Sequence, residues 1–145
     1  MEALKFIVDV NVGKLAKKLR MMGYDALLIH DADDYDLVRI SLKGERILLT
    51  RDTSIMQRRV VTTGGRKVLF IEDTEAPEQF RKLLQQVNLA EAAHPFTRCI
   101  ECNQLLEAKT KDEIKELVSP YVLKAQENYR QCPDCHRVDW GGGRG

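Results

Sequence analysis

Two short stretches, CIEC and CPDC, hold Cys99, Cys102, Cys132 and Cys135, and the sequence has no other cysteine. A Cys-x-x-Cys pair turns two thiolates to one side of a tight bend, and two such pairs can close a tetrahedral four-thiolate site round one Zn2+. Protein then fills every coordination position, so this zinc is structural and performs no chemistry itself. The other readings of the spacing are an iron–sulfur cluster and two redox dithiols. The connecting segment, TKDEIKELVSPYVLKAQENYR, is long for a plain ribbon and is expected to carry helix. His136 reads as a surface residue and Trp140 as a lid packed over the zinc site.

A second set of residues is acidic. Asp9 closes the run FIV, Asp31, Asp33, Asp34 and Asp36 follow ALLI, and Asp52 follows ILLT. Taken singly, each aspartate is as well read as a helix cap or surface charge as it is as a ligand. Gathered on one edge they would repel and raise one another's pKa unless a cation lay among them. An all-oxygen ligand set selects a hard cation, Mg2+ or Mn2+. The chemistry such a site serves is phosphodiester hydrolysis. Cations stand beside these acids. Lys14, Lys17 and Lys18 share one face of a helix, Arg51 adjoins Asp52, and Arg58 and Arg59 follow. A phosphate backbone would need such contacts.

The elements that must position these groups alternate along the chain. KFIVDV, ALLIH, RILLT and KVLFI are short apolar runs. Between them, VGKLAKKLRMMG predicts a helix ended by Gly23, and DYDLVRISLKG one capped by Asp33 or Asp34 and ended by Gly44. SIMQRRVVTT predicts a third, and APEQFRKLLQQVNLAEA a last helix with Phe80, Leu84 and Val87 on one face. Continuous apolar strands alternating with helices imply a parallel sheet covered on both sides. All its strand C-termini share one edge, where ligands of such sheets bind. Residues 1–94 therefore read as a small α/β domain and 95–145 as a zinc ribbon with a helical insert and a flexible GGGRG tail, joined near HPFTR.

Length and composition allow this division. The chain has 145 residues, 43% hydrophobic and 31% charged, with 23 Lys+Arg against 22 Asp+Glu. A net charge of +1 excludes a strongly basic arm but permits a local basic face. No apolar stretch nears the ~20 residues of a membrane span. MEALKF lacks the pattern of a signal peptide, and the expectation is a cytoplasmic protein without membrane contact.

Taken together, GKLAKKLRMMGYD, LLTRD, RCIECN and CPDCHRVDW resemble the Mut-seven C-terminal RNase family across roughly residues 4–140. The resemblance implies a PIN-like three-layer nuclease domain with a central parallel sheet and a C-terminal zinc ribbon. It implies a Mg2+- or Mn2+-dependent ribonuclease, an endonuclease, whose metal is held by Asp9, Asp34 and Asp52. Lys14, Lys17, Lys18, Thr50 and Arg51 would bind RNA. Ribosomal RNA or the ribosome is a neighbouring expectation, since a PIN domain with a zinc ribbon also trims small-subunit ribosomal RNA. Two positions depart from the pattern. Ser54 stands where PIN-type nucleases often have a fourth acid, and the tail reads WGGGRG instead of Gly-Ser-His. The competing readings are a non-catalytic RNA- or ribosome-binding module on the same scaffold and a phosphoacceptor receiver domain. The receiver needs an acidic pair after the first strand, where only Asp9 stands.

Overall fold

The computed structural model describes residues 4–52, 68–72, 75–87 and 96–140. The four apolar runs form strands β1 (Lys5–Val8), β2 (Asp25–Leu28), β3 (Ile47–Thr50) and β4 (Val68–Phe70). They make one sheet in the order β2-β1-β3-β4, with every pair parallel. Helix α1 (Lys14–Met21) connects β1 to β2, and α2 (Asp34–Gly44) connects β2 to β3. Helix α3 (Ala76–Gln86) follows β4.

The strands are apolar throughout because both faces are covered. Phe6 and Val8 point to one face, where they pack with Leu15, Leu19 and Leu83. Ile7 and Leu48 point to the other, against Leu37 and Val38 of α2. Alternation along a four-residue strand thus feeds two cores. Phe6 meets Tyr24 edge to face at 5.9 Å. Burying one large side chain of this kind contributes about 1.5–3 kcal/mol.

Helix ends follow local chemistry, with two departures from expectation. Gly23 takes the left-handed conformation after α1 (φ 95), as its position predicts. For α2 the left-handed residue is Glu45 (φ 53), and Gly44 stays helical. The turn is held by Arg46 N–H donating to the Ser41 carbonyl and by the Ser41 hydroxyl donating to Arg46 O at 2.6 Å. Helix α3 stops at Gln86 because Val87 is extended (φ −137), so the helix is shorter than expected. Its buried face is Gln79 and Leu83 with Phe80 beside them, whereas Leu84 is exposed. The helix expected over 54–63, with Ser54, Arg58 and Arg59, lies outside the described residues, as does the 141–145 tail.

The cysteine-bearing region builds an antiparallel sheet, β5 (Glu107–Lys109), β6 (Tyr129–Gln131) and β7 (Val138–Asp139), in that order. The expected helical insert is present as α4 (Lys111–Ile114) and α5 (Pro120–Ala125). Ile114, Tyr129 and Val138 form its small core, with Trp140 packed against them.

Among the described residues, the two regions meet along the free edge of β2 and α1. Asn103 lies against the free edge of β2: its Oδ1 accepts the Ala26 N–H at 2.9 Å and its Nδ2 donates to Asp25 Oδ1 at 2.7 Å. Arg20, 7% exposed, donates to the Ala26, Ile100 and Glu101 carbonyls. Arg98 reaches the Gly23 carbonyl, and Phe96 N–H the Met21 carbonyl. Asp25 also pairs with both terminal nitrogens of Arg46, at 2.8 and 3.1 Å. Burial alone would raise the Asp25 pKa, but these hydrogen bonds from Arg46 and Asn103 hold it below the ordinary carboxylate value.

Asn103→Ala should therefore cost about 1–3 kcal/mol, because it leaves the Ala26 N–H and one Asp25 oxygen short of partners. Hydrogen exchange at the Ala26 amide should accelerate. A depressed Asp25 pKa contributes stability that is complete above its ordinary value of 3.8 and is lost as pH falls through the folded-state value. Urea melts at pH 7 and through the acid range should show that component reduced in Asn103→Ala. An unchanged Ala26 exchange rate would refute the role given to Asn103.

Candidate active site and metal centre

At the C-terminal edge of the parallel sheet, β1 lies between β2 and β3. The chain leaves β1 toward β2 over one face and returns from β2 to β3 over the other, so β1 marks the topological switch point where such sheets open a crevice. Asp9 is the first residue beyond β1 and is 8% exposed. Its backbone N–H donates to the Leu49 carbonyl, and its Oδ2 accepts the Thr50 hydroxyl at 2.7 Å. The same Thr50 oxygen accepts the Asp52 N–H at 3.0 Å. Thr50, fully buried at the end of β3, thus orients the Asp9 carboxylate and fixes the backbone that carries Asp52. Asn11 adds a second tie, its Oδ1 accepting the Arg51 N–H at 3.1 Å.

Asp34 stands across β1, as the first residue of α2. Asp33 and Asp36 are committed to a reciprocal capping box: the Asp36 N–H donates to Asp33 Oδ1 at 2.8 Å and the Asp33 N–H to Asp36 Oδ2 at 3.4 Å. Asp36 also neighbours Arg39. Of the three acids left open by the sequence pattern, Asp34 is the one outside that cap. By topology Asp9, Asp34 and Asp52 all follow the C-terminal ends of parallel strands, but their carboxylates do not gather closely enough to share an ion as the cysteine sulfurs do. Asp9 and Asp52 are linked through Thr50, whereas Asp34 enters from the β2 side. Among the described residues, the groups close enough together to hold an ion are the cysteines.

The basic residues divide. Lys14 opens α1, exposed beside the acidic edge. Lys17 pairs with Glu101 at 3.2 Å, reaching toward the cysteine-bearing region, and Lys18 lies 5.6 Å from the centre of the Phe80 ring. Arg51 keeps its Nε buried without a hydrogen-bond partner.

The four cysteine sulfurs lie within 4.8 Å of one another. Both Cys-x-x-Cys pairs have the same local build. Cys99 N–H donates to Gln104 O and Asn103 N–H to Cys99 O, while Cys132 N–H donates to Arg137 O and His136 N–H to Cys132 O. Asn103 and His136, each just after the second cysteine, are left-handed at φ 67 and 66. His136 is an exposed turn residue, as expected, and Asn103 fills the equivalent position while its side chain holds β2. Asp134 and Cys135 aim their N–H groups at Cys132 Sγ. Zn–S bonds of about 2.3 Å place tetrahedral sulfurs about 3.8 Å apart, and Cys99 and Cys135 stand at 3.7 Å. Thiols this close oppose one another's ionisation. The Cys135 side chain, with burial, pushes Cys102 up to about 12, and burial raises Cys99. Cys135 is shifted down, chiefly by the backbone at Arg137. A divalent cation reverses this balance by taking the thiolates as ligands. The donor set suits one Zn2+ in a closed site.

Four residues escaped the sequence reading: Asn11, Arg20, Asp25 and Asn103. Arg20 carried a usable signal, since it recurs four residues after Ala16 on the apolar side of α1, where a charge is out of place.

The family described as the Mut7-C RNAse domain matches residues 4–145. The chain is 26% identical over 136 residues to a Homo sapiens protein named exonuclease mut-7 homolog, covering 91% of this chain and 15% of that relative's length. No solved structure matches.

Elemental analysis should find one zinc per chain, and Cys132→Ser should lose it. The first knuckle is tied to Arg20 and to β2 through Asn103, so zinc loss should also loosen the parallel sheet. Faster exchange at the Ala26 amide and a lower melting temperature for the whole chain are the expected readouts. A parallel sheet that melts unchanged without zinc would show the two regions to be independent.

Proposed function

The chain belongs to the Mut7-C RNAse domain family, and from that membership and the acidic edge we propose that it is a Mg2+- or Mn2+-dependent ribonuclease with a PIN-like site. The observation that carries the reading is the buried Asp9 carboxylate at the switch point, oriented by the Thr50 hydroxyl that also accepts the Asp52 N–H. A buried acid with a dedicated donor is costly for a fold that does not use it. Asp9, Asp34 and Asp52 would hold the cation. Bound there, it would supply a Lewis acid for the phosphodiester and ease deprotonation of water. Thr50 keeps the Asp9 carboxylate in place, and Lys14 and Arg51 offer cationic partners to the RNA backbone.

The mode of cleavage we propose is endonucleolytic, although the human relative is named an exonuclease. We take the protein to be cytoplasmic, with ribosomal RNA as one candidate substrate. No helix among the described residues is long and apolar enough to cross a membrane.

Purified zinc-loaded protein with Mn2+ should open a covalently closed circular RNA, which has no end for an exonuclease. Asp9→Asn and Asp52→Asn should abolish cleavage while RNA binding persists. Thr50→Val should reduce activity about 10–100-fold, the usual cost of removing a residue that orients a ligand. RNA bound but never cut, with binding unaffected by Asp9→Asn, would leave a non-catalytic RNA-binding module. Cleavage of linear RNA alone would point to an exonuclease.

A further inference from the structure

Beside Asp9, on the α1 side of the sheet edge, lies a cavity of about 630 Å3. It is within the ~300–1,000 Å3 range of small-ligand sites. Its wall is apolar where Val10, Val12 and Leu28 meet, and polar where Asn11, Lys14 and the His30 ring stand. No acidic residue lines it, although aspartates crowd the adjoining edge. Helix α1 begins here without a side-chain cap and with no acid in its own first turn, continuing a 3-10 turn over Val10–Val12. Gly13 has ordinary helical angles (φ −57, ψ −28), so conformation does not require a glycine. Its missing Cβ would lie 3.2 Å from the Val10 carbonyl and 3.7 Å from Leu28, so glycine keeps the cavity wall thin. Val10 is 47% exposed on the rim, an apolar side chain left in water one residue after the buried acid.

Resting on the ribonuclease reading of Asp9, we propose that this cavity seats one nucleotide of single-stranded RNA, the one next to the phosphodiester at the acidic edge. Its phosphate lies at Lys14 and the start of α1. Its base lies on Val10 and Leu28, with the planar His30 ring as a stacking partner. Asn11, whose Oδ1 is engaged by the Arg51 N–H, offers its amide nitrogen as a donor. Lys17 is also on the wall, but its ion pair with Glu101 makes it a structural tie to the cysteine-bearing region. Apolar wall, cations and absent carboxylates together select a nucleotide over a peptide or a neutral sugar.

The test uses the full zinc-loaded chain carrying Asp9→Asn, with fluorescein-labelled hexauridylate as the probe and binding read by anisotropy. Lys14→Gln, Val10→Glu and His30→Ala all alter side chains at the open rim, so the fold should survive them. Each should weaken binding about tenfold or more. Lys14→Gln should also reduce the slope of log K against log salt by about 0.7. Lys43→Gln in the last turn of α2, an equal change of charge, should leave affinity unchanged. If all three variants bind like the parent while the wild type cleaves this RNA, the subsite is wrong and the ribonuclease reading stands. If the variants bind weakly but the wild type never cleaves, the subsite stands and the catalytic reading fails. Absence of any binding would overturn both.

Discussion

A half-buried carboxylate at the head of β2 governs how this chain is assembled. Asp25 accepts two hydrogen bonds from Arg46 and one from Asn103. Removed in part from water, it needs those donors, and they come from far along the chain. Arg46 stands at the entry to β3 and donates as well to the Phe6 carbonyl, so it joins β1, β2 and β3. Asn103 belongs to the first cysteine turn, so a residue fixed by the cysteine site is also a partner of the parallel sheet. The free edge of β2 would otherwise expose unpaired backbone groups, and the Asn103 amide covers part of it in the manner of a short extra strand.

This junction lies at the opposite end of the strands from the acids. Asp25 pairs with Lys5 at the start of β1, whereas Asp9 follows its end. The cysteine-bearing region reaches toward the acidic edge along α1, which runs from Lys14 near Asp9 to the turn that Arg98 and Phe96 grip. The Lys17–Glu101 pair lies between those ends, exposed and weak by itself. Buried Arg20 is the stronger connection, since its hydrogen bonds reach both β2 and the knuckle. Burial lowers its pKa, and the thiols of Cys99 and Cys102 with Glu101 act against that shift.

The acidic edge is held by a different economy of contacts. Thr50 serves as donor to one acid and as acceptor for the backbone of another, and Asn11 repeats the arrangement with Arg51. Side chains near a strand end take over once the regular ladder stops, and here they keep two neighbouring strand ends in register. Asp34 enters from α2, whose start is set by the Asp33–Asp36 cap. Each acid is positioned by its own local device, and parallel topology places all three after strand C-termini without gathering their carboxylates as the cysteine sulfurs are gathered.

Much of this was legible in residue order. Four apolar runs separated by amphipathic segments determine a parallel sheet with helices on both faces, because strands without polar alternation have no face to give to water. Paired Cys-x-x-Cys spacing determines two knuckles, because the turn is local and each closes on its own backbone. Gly23 as a helix terminator and acids at strand ends are local signals of the same kind. Tertiary structure decided the rest. Lys17 and Lys18 share a helix face with Lys14, but Glu101 and Phe80 claim them, and neither partner is near in sequence. The end of α3 at Gln86, and the choice of Leu83 over Leu84 for the core, depend on what the helix packs against. Asn103 and Arg20 went unread in the sequence. Their roles come from meeting Ala26 and Asp25 across some eighty residues for Asn103, and Ile100 across as many for Arg20. Pairings at that separation leave no periodicity in the chain, because they are selected by the need to satisfy buried polar groups after the sheet and the knuckle have come together.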